Sequence, residues 1–362
     1  MRIRMYGHLA TRRDCEPGRT GRAALVDARD GSRSRSSRKR TTFRIVGIVL
    51  SAVVVLAGCG GPAKTPRSGI ISTSAQVAAT SFAQTFNIGG GRQLYLTCRG
   101  NGPPTVILIP GLVTAADTWS YVGDSSGLKA SDSAVLPEVS TFSRVCSYDR
   151  PGTVREDGSL TPSTPVRQPT NPERDVADLH ALLAAAKVPG PYVLAGWSYG
   201  GPIARVYAST YPQEVAGLIL VDALNEYEQS ELTPAQFSVL VAVFQGDNER
   251  RMAQWKDVEQ IDALTTYAQL RAAPPVHAMP VVVISSDRFD PNAFRARLPA
   301  DAPVDFPEVF WRAHLAAQDD LAGLFSGAKH ITNTDSEHNV QNESPQQVIE
   351  AIRDVVKQAR RH

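Results

Sequence analysis

The chain has 362 residues and 42% hydrophobic content, enough for a sizeable core and compatible with one α/β domain of moderate size. Its formal charge of +2 joins two unlike parts: residues 1–58 carry 13 Lys/Arg against 4 Asp/Glu, a net of +9, and residues 59–362 carry 25 against 32, a net of −7. The larger part is mildly acidic, which argues against nucleic acid as a partner. The sequence also contains no metal-ligand cluster and no glycine loop of the kind that cradles phosphate, so no cofactor is expected.

In chain order, a basic stretch from Arg33 to Arg44 precedes an uncharged apolar run of 14 residues, Ile45 to Gly58. That length fits the roughly 7–15 residues of an export-signal core and falls short of the ~20 of a membrane span. The run ends in Leu56-Ala57-Gly58-Cys59, which resembles the lipobox of bacterial lipoproteins. The resemblance implies a diacylglycerol on the Cys59 thiol, cleavage before it, and a protein held by its lipid on the extracytoplasmic face of the cell membrane. A plain signal peptide or a signal anchor is the alternative. Residues 59–79 are rich in Pro, Gly, Ser and Thr from Pro62 to Ser74 and read as a flexible tether. Of four cysteines, Cys15 lies ahead of the signal and Cys59 takes the lipid. Cys98 and Cys146 remain as an even pair, which an oxidising compartment invites into a disulfide; two buried free thiols are the alternative.

From residue 80 onward strand and helix patterns alternate, as in a mostly parallel sheet. Phe82–Ile88 and Gln93–Cys98 flank Gly89-Gly90-Gly91 and predict a hairpin. Thr105–Ile109 is a continuous apolar run of the kind buried on both faces of a sheet, and Arg144–Tyr148 is a shorter one. Asn171 to Val188 has helical spacing, with Asn171 as N-cap and Pro172 at the first helical position. Tyr192–Ala195, Leu218–Val221 and Val281–Ile284 predict further buried strands, Lys329–Asn333 the last, and Pro345–Arg361 a closing helix. Between Ala223 and Met279 the pattern turns to amphipathic helical segments without a strand, which predicts a helical cap over about 223–278.

The most informative motif is Gly196-Trp197-Ser198-Tyr199-Gly200-Gly201, between the run ending at Ala195 and the helical pattern Pro202–Tyr211. A G-x-S-x-G in a strand–turn–helix setting is a nucleophile elbow: the sharp turn lifts a serine hydroxyl and aims helix N-terminal amides at a developing oxyanion. With the element order, it makes the chain similar to the α/β-hydrolase fold over about residues 80–362. The resemblance implies a mostly parallel central sheet flanked by helices. It also makes neighbours of the strands carrying Cys98 and Cys146, and a bridge closing that loop would contribute about 2–4 kcal/mol.

A serine hydroxyl needs a base, and in this fold the base is a histidine late in the chain, after the acid. Ser336-Glu337-His338-Asn339-Val340 follows the last predicted strand and resembles the family's G-x-G-H loop, with Ser336-Glu337 replacing small residues. His338 is therefore the expected base. His180 lies before the nucleophile strand, His330 falls in the last strand, and His277 and His314 lie in the cap region and the segment after Val281–Ile284.

For the acid, two positions remain open. Asp222 ends the strand Gly217–Val221, where the haloalkane-dehalogenase branch of the fold carries its acid, and Asp287 and Asp290 follow Ile284, near the commoner site. Pro110-Gly111-Leu112 resembles the family's His-Gly-x turn, which implies an oxyanion hole made by the amides of Leu112 and Tyr199. Pro110 removes a histidine that often braces this loop. Asp149-Arg150-Pro151-Gly152 resembles the family's structural D-x-x-G turn.

Trp197 reads as packing or a pocket wall, Trp119 and Tyr121 as half-buried aromatics or pocket lining, and Asp319-Asp320 as an exposed pair. Glu226, Glu228 and Glu231 read as a solvated face of the cap. The expected function is hydrolysis of a small-molecule or lipid carboxylic ester through an acyl-enzyme on Ser198. A peptidase or amidase of the same fold, or an idle binding lipoprotein, is the alternative. Epoxide hydrolases and haloalkane dehalogenases of this fold use aspartate where Ser198 stands.

Overall fold

The structure, a computed structural model, describes residues 81–361 apart from Ser125. Cys59, its lipobox and the tether lie outside the described residues. Among those described, no helix is long and apolar enough to cross a membrane.

Chain order is β1 (Phe82–Gly89), β2 (Arg92–Arg99), β3 (Thr105–Ile109), a small hairpin of β4 (Tyr121–Asp124) and β5 (Gly127–Ala130), α1 (Val135–Ser140), and β6 (Val145–Asp149). Then come α2 (Pro172–Ala185), β7 (Tyr192–Trp197), α3 (Gly200–Thr210) and β8 (Val215–Val221). The helices α4 (Tyr227–Ser230), α5 (Pro234–Met252) and α6 (Ala263–Ala272) precede β9 (Val281–Ile284). After β9 the chain runs through α7 (Pro291–Arg295), α8 (Phe306–Gly323), β10 (Lys329–Ile331), α9 (Val340–Glu343) and α10 (Pro345–Ala359).

Eight strands form one sheet in the order β1-β2-β6-β3-β7-β8-β9-β10. β1 and β2 pair antiparallel, as do β2 and β6, and every later pairing is parallel. The central strands β3, β6 and β7 are buried at every residue, because helices cover both faces. α2 and α3 pack on one face around Leu179, Leu183, Ile203 and Tyr207. On the other face lie α1 and α10, with Val348, Ile352, Val355 and Val356 turned inward and charged residues outward.

Asn171 caps α2 through the Arg174 amide, with Pro172 at the first helical position. α3 begins at Gly200, two residues before the predicted Pro202, because the elbow runs straight into the helix. The hairpin β4–β5 escaped the sequence reading; its strands are four residues each with none buried, so they leave no apolar period.

Cys98 and Cys146 stand directly opposite in the β2–β6 ladder and are joined by a disulfide, with Cα atoms 4.1 Å apart. The free-thiol alternative is set aside. The bridge lies in the buried sheet beside Leu96 and Ile107.

Residues 223–278 are helical without a strand. They share a core with the second helical segment, α7 and α8, through Leu240 and Tyr267 on one side and Phe294, Phe306 and Ala313 on the other. Helices from two separate parts of the chain thus build one cluster beside the carboxyl edge of the sheet.

Candidate active site

Ser198 follows β7 with a φ of 54°, a left-handed conformation that costs a non-glycine residue about 1 kcal/mol or more. The strain is held by close packing on both sides. A Cβ on Gly196 would run into the Gly200 carbonyl, one on Gly200 into the Ile109 carbonyl, and one on Gly201 into Ala223. The Ser198 amide donates to the Val221 carbonyl and its own carbonyl accepts from Leu224 and Gly201. The hydroxyl is thereby fixed at the sheet's carboxyl edge, in the wall of a cavity of about 170 Å³.

His338 reaches this point from the loop between β10 and α9. Its Nε2 lies 2.9 Å from Ser198 Oγ and its Nδ1 2.6 Å from Asp222 Oδ2. A carboxylate only accepts, so the proton sits on Nδ1 and Nε2 is free to accept from the serine. Of the candidate acids, Asp222 is the one bonded to His338. Asp287 accepts from the Ser336 amide and braces the loop, while Asp290 caps α7 through the Asn292 and Ala293 amides.

Asp222 is 1% exposed. Its Oδ1 accepts from the Ser286 amide at 2.8 Å, the Ser286 hydroxyl at 2.9 Å and His314 Nε2 at 3.1 Å. Burial favours the neutral acid, but the His314 and His338 rings outweigh it and hold Asp222 well below the usual carboxylate range.

His314 was not expected here. It projects from α8 with both ring nitrogens against carboxylates, Nε2 on Asp222 and Nδ1 on Glu228 Oε1 at 3.2 Å. Glu228 Oε2 in turn accepts from the Tyr267 hydroxyl at 2.5 Å. Burial opposes a charge on His314, but the two carboxylates prevail and raise it to about 10, so the ring is an imidazolium at neutral pH. A chain of hydrogen-bonded groups therefore runs His338–Asp222–His314–Glu228–Tyr267.

The expectation of a solvated acidic face on the cap is corrected accordingly. Glu228 is 3% exposed and bound inside, and Glu226 is half-buried against Arg205. Only Glu231 is exposed as expected. The misreading has a physical cause: α4 is a single turn, too short for its periodicity to mark a buried face.

The amides of Leu112 and Tyr199 both border the cavity, and neither donates to another described residue. Their loop lacks the family's histidine and is braced from elsewhere. Arg150 Nη1 and Nη2 donate to the carbonyls of Pro110 and Gly111 at 2.8 and 2.6 Å. Glu259, from the cap, accepts from Arg150 Nε at 2.5 Å and from the Val113 amide at 2.5 Å. Arg150 and Glu259 are 1% and 0% exposed. Gly152 admits this contact, because a Cβ there would meet the Asp257 carbonyl and the Glu259 amide at 2.5 Å. The D-x-x-G turn thus has a second part, clamping the oxyanion loop to the cap. On the other flank, the Tyr199 hydroxyl donates to buried Asp175 at 2.9 Å.

Trp197 borders the cavity and its Nε1 donates to the His338 carbonyl at 2.8 Å, so it holds the histidine loop as well as packing. Trp119 is fully buried in the core under α1 and α10, and neither it nor Tyr121 borders the cavity, which corrects the pocket-lining reading. His330 sits on β10 and meets Ser285 Oγ at 2.7 Å; Asp319 is exposed and contacts His330.

A family profile described as the alpha/beta hydrolase fold matches residues 104–254. An uncharacterized protein of Schizosaccharomyces pombe is 35% identical over 111 residues, 30% of this chain and 19% of that protein. The uncharacterized protein YqjL of Bacillus subtilis is 24% identical over 124 residues, 34% of this chain and 41% of its own. The chain therefore spans between a fifth and two fifths of the curated relatives it matches. Among solved structures, an E-2-(acetamidomethylene)succinate hydrolase superposes with a TM-score of 0.51 at 14% identity, covering 77% of this chain and all of that one. Strand order, elbow and family profile agree: the chain has the α/β-hydrolase fold, a scaffold that supports a hydrolase.

Proposed function

We propose that the protein is a serine hydrolase that cleaves carboxylic esters through an acyl-enzyme on Ser198. The observation that carries the reading is the unbroken contact from Ser198 Oγ to His338 Nε2 and from His338 Nδ1 to Asp222, in the wall of a cavity lined by both apolar and charged side chains. In this reading His338 takes the serine proton as Oγ attacks the ester carbonyl, and Asp222 stabilises the resulting imidazolium. The amides of Leu112 and Tyr199 donate to the tetrahedral oxyanion, where a single such donor is worth roughly 10²–10³ in rate. His338 then protonates the leaving alcohol, and water releases the acyl group by the reverse steps.

The lipobox-like Leu56-Ala57-Gly58-Cys59 supports an extracytoplasmic, lipid-anchored location. Metabolic labelling with a palmitate analogue, lost in Cys59→Ala, checks that part. For the chemistry, p-nitrophenyl esters of graded chain length are the assay. Ser198→Ala and His338→Ala are each expected to lower kcat by about 10⁴-fold or more. Retention of most esterase activity in Ser198→Ala contradicts the proposal.

A further inference from the structure

At one corner of the cavity beside Ser198, guanidinium groups outnumber the carboxylate that faces them. The cavity walls include the aromatic rings of Phe244, Phe289, Phe294, Phe310 and Trp311, and Arg251 of α5 and Arg297 also border it. One carboxylate, Asp247, serves three guanidinium groups there. Its two oxygens accept from Arg250 and Arg297, each at 2.5 Å. Arg251 Nη2 keeps only a long ion pair with Asp247, at 3.9 Å and beyond hydrogen-bond distance, and its Nη1 is buried with no acceptor among the described residues.

The other charged groups of the cavity are engaged elsewhere or sit at the catalytic end. Asp222 and Glu228 hold His314, Asp290 caps α7, and Arg288 pairs with Glu343. Glu337 borders the cavity next to His338 in the chain. Glu259, which also feels the Arg251 charge, is committed to Arg150.

A guanidinium does not give up its proton in a protein, and a largely buried one held by a single long ion pair gains from a further anionic partner. Arg251 is 17% exposed at its side chain, and burial and the neighbouring Arg297 both weigh against its charge. The corner formed by Arg251 and Arg297 is complementary to an anion, and guanidinium groups bind carboxylates in a planar fork.

We infer that Arg251, with Arg297 beside it, receives a carboxylate of the substrate, so that the preferred esters carry an anionic group at the end of an otherwise apolar acyl chain. The inference rests on the hydrolase reading above and narrows it to a substrate class. The aromatic walls accept the chain's methylenes, and the Arg251 subsite reads its terminus.

The test compares p-nitrophenyl monoesters of succinate, glutarate and adipate with the neutral butyrate, pentanoate and hexanoate esters of equal carbon number. In the wild type at least one monoester is expected to exceed its neutral partner by about tenfold or more in kcat/KM, mainly through KM. Arg251→Gln is expected to abolish that preference while changing the neutral esters less than about threefold, and Arg251→Lys to restore part of it. A wild-type preference for the neutral partner at all three lengths overturns the inference, as does an Arg251→Gln variant that lowers both series equally. Wild type that cleaves neither series counts against the hydrolase reading itself. Neutral-ester activity that depends on Ser198 upholds that reading whatever Arg251 does.

Discussion

Replacing His314 with glutamine removes a charge from behind the candidate acid while keeping size and a hydrogen-bond donor. The imidazolium of His314 and a protonated His338 flank opposite oxygens of Asp222, at 3.1 and 2.6 Å. Their charge centres are then roughly 7 Å apart, and at an effective dielectric of about 20 they repel by about 2.4 kcal/mol. Because the His338 side chain is 34% exposed, solvent screens part of it, and an effect of about 1 kcal/mol is expected.

His314 disfavours a second positive charge beside Asp222, so its removal moves the acid limb of kcat/KM upward. Glu228, Tyr267, Glu337, Asp290 and the Arg288–Glu343 pair also face this region, and are present in both proteins. The assay is the pH dependence of kcat/KM for p-nitrophenyl butyrate, from about pH 5 to pH 9. Glu228→Gln removes a negative charge farther along the same chain and is expected to shift the limb downward by a smaller amount. Unshifted limbs in both variants, with only the plateau rate reduced, refute the electrostatic role and leave His314 a packing residue.

His314 is raised to about 10 from its ordinary 6.5, so its charge stabilises the fold fully below about pH 6.5 and loses that effect as pH climbs toward 10. Urea unfolding is therefore expected to show the wild-type advantage over His314→Gln shrinking across that window. Glu259→Gln weakens the clamp on Arg150 and Val113, leaving a buried guanidinium poorly paired. A loss of about 3–5 kcal/mol of stability and about tenfold or more in kcat is expected, read by denaturant melts and ester kinetics. Trp197→Phe keeps the apolar wall but drops the bond to the His338 carbonyl, and is expected to lower kcat severalfold, about 1 kcal/mol, with KM little changed. Replacing both Cys98 and Cys146 with alanine opens a loop of 48 residues and is expected to cost about 2–4 kcal/mol in the melt while leaving room-temperature kinetics intact.

The sheet was legible because its central strands are buried on both faces and read as unbroken apolar runs, Thr105–Ile109 above all. The elbow was legible because steric crowding restricts residues 196, 200 and 201 to glycine, and a motif set by backbone contact leaves a fixed spacing. Asp222 was visible as a strand-end carboxylate but not separable from Asp287 and Asp290, since the choice depends on which strand end faces the His338 loop. His314 and Glu228 left no signal. His314 meets Asp222 from α8, and Glu228 meets His314 from α4, 86 residues away in sequence. The brace of the oxyanion loop was hidden for a similar reason: Arg150 sits in a turn whose glycine spacing looked purely structural, and its partner Glu259 lies 109 residues away in an irregular segment. The second half of the cap went unread because α7 and α8 lie beyond the strand Val281–Ile284, outside the strandless stretch 223–278 that marked the first half.

Labelling with a fluorophosphonate, followed by peptide mass spectrometry, tests the central claim most directly. The account predicts one phosphonyl adduct on Ser198 in the wild type, formed at least about 10³-fold more slowly in His338→Ala and absent from Ser198→Ala. An intact wild-type protein that takes no label, or takes it on another serine with Ser198 unmodified, would contradict it.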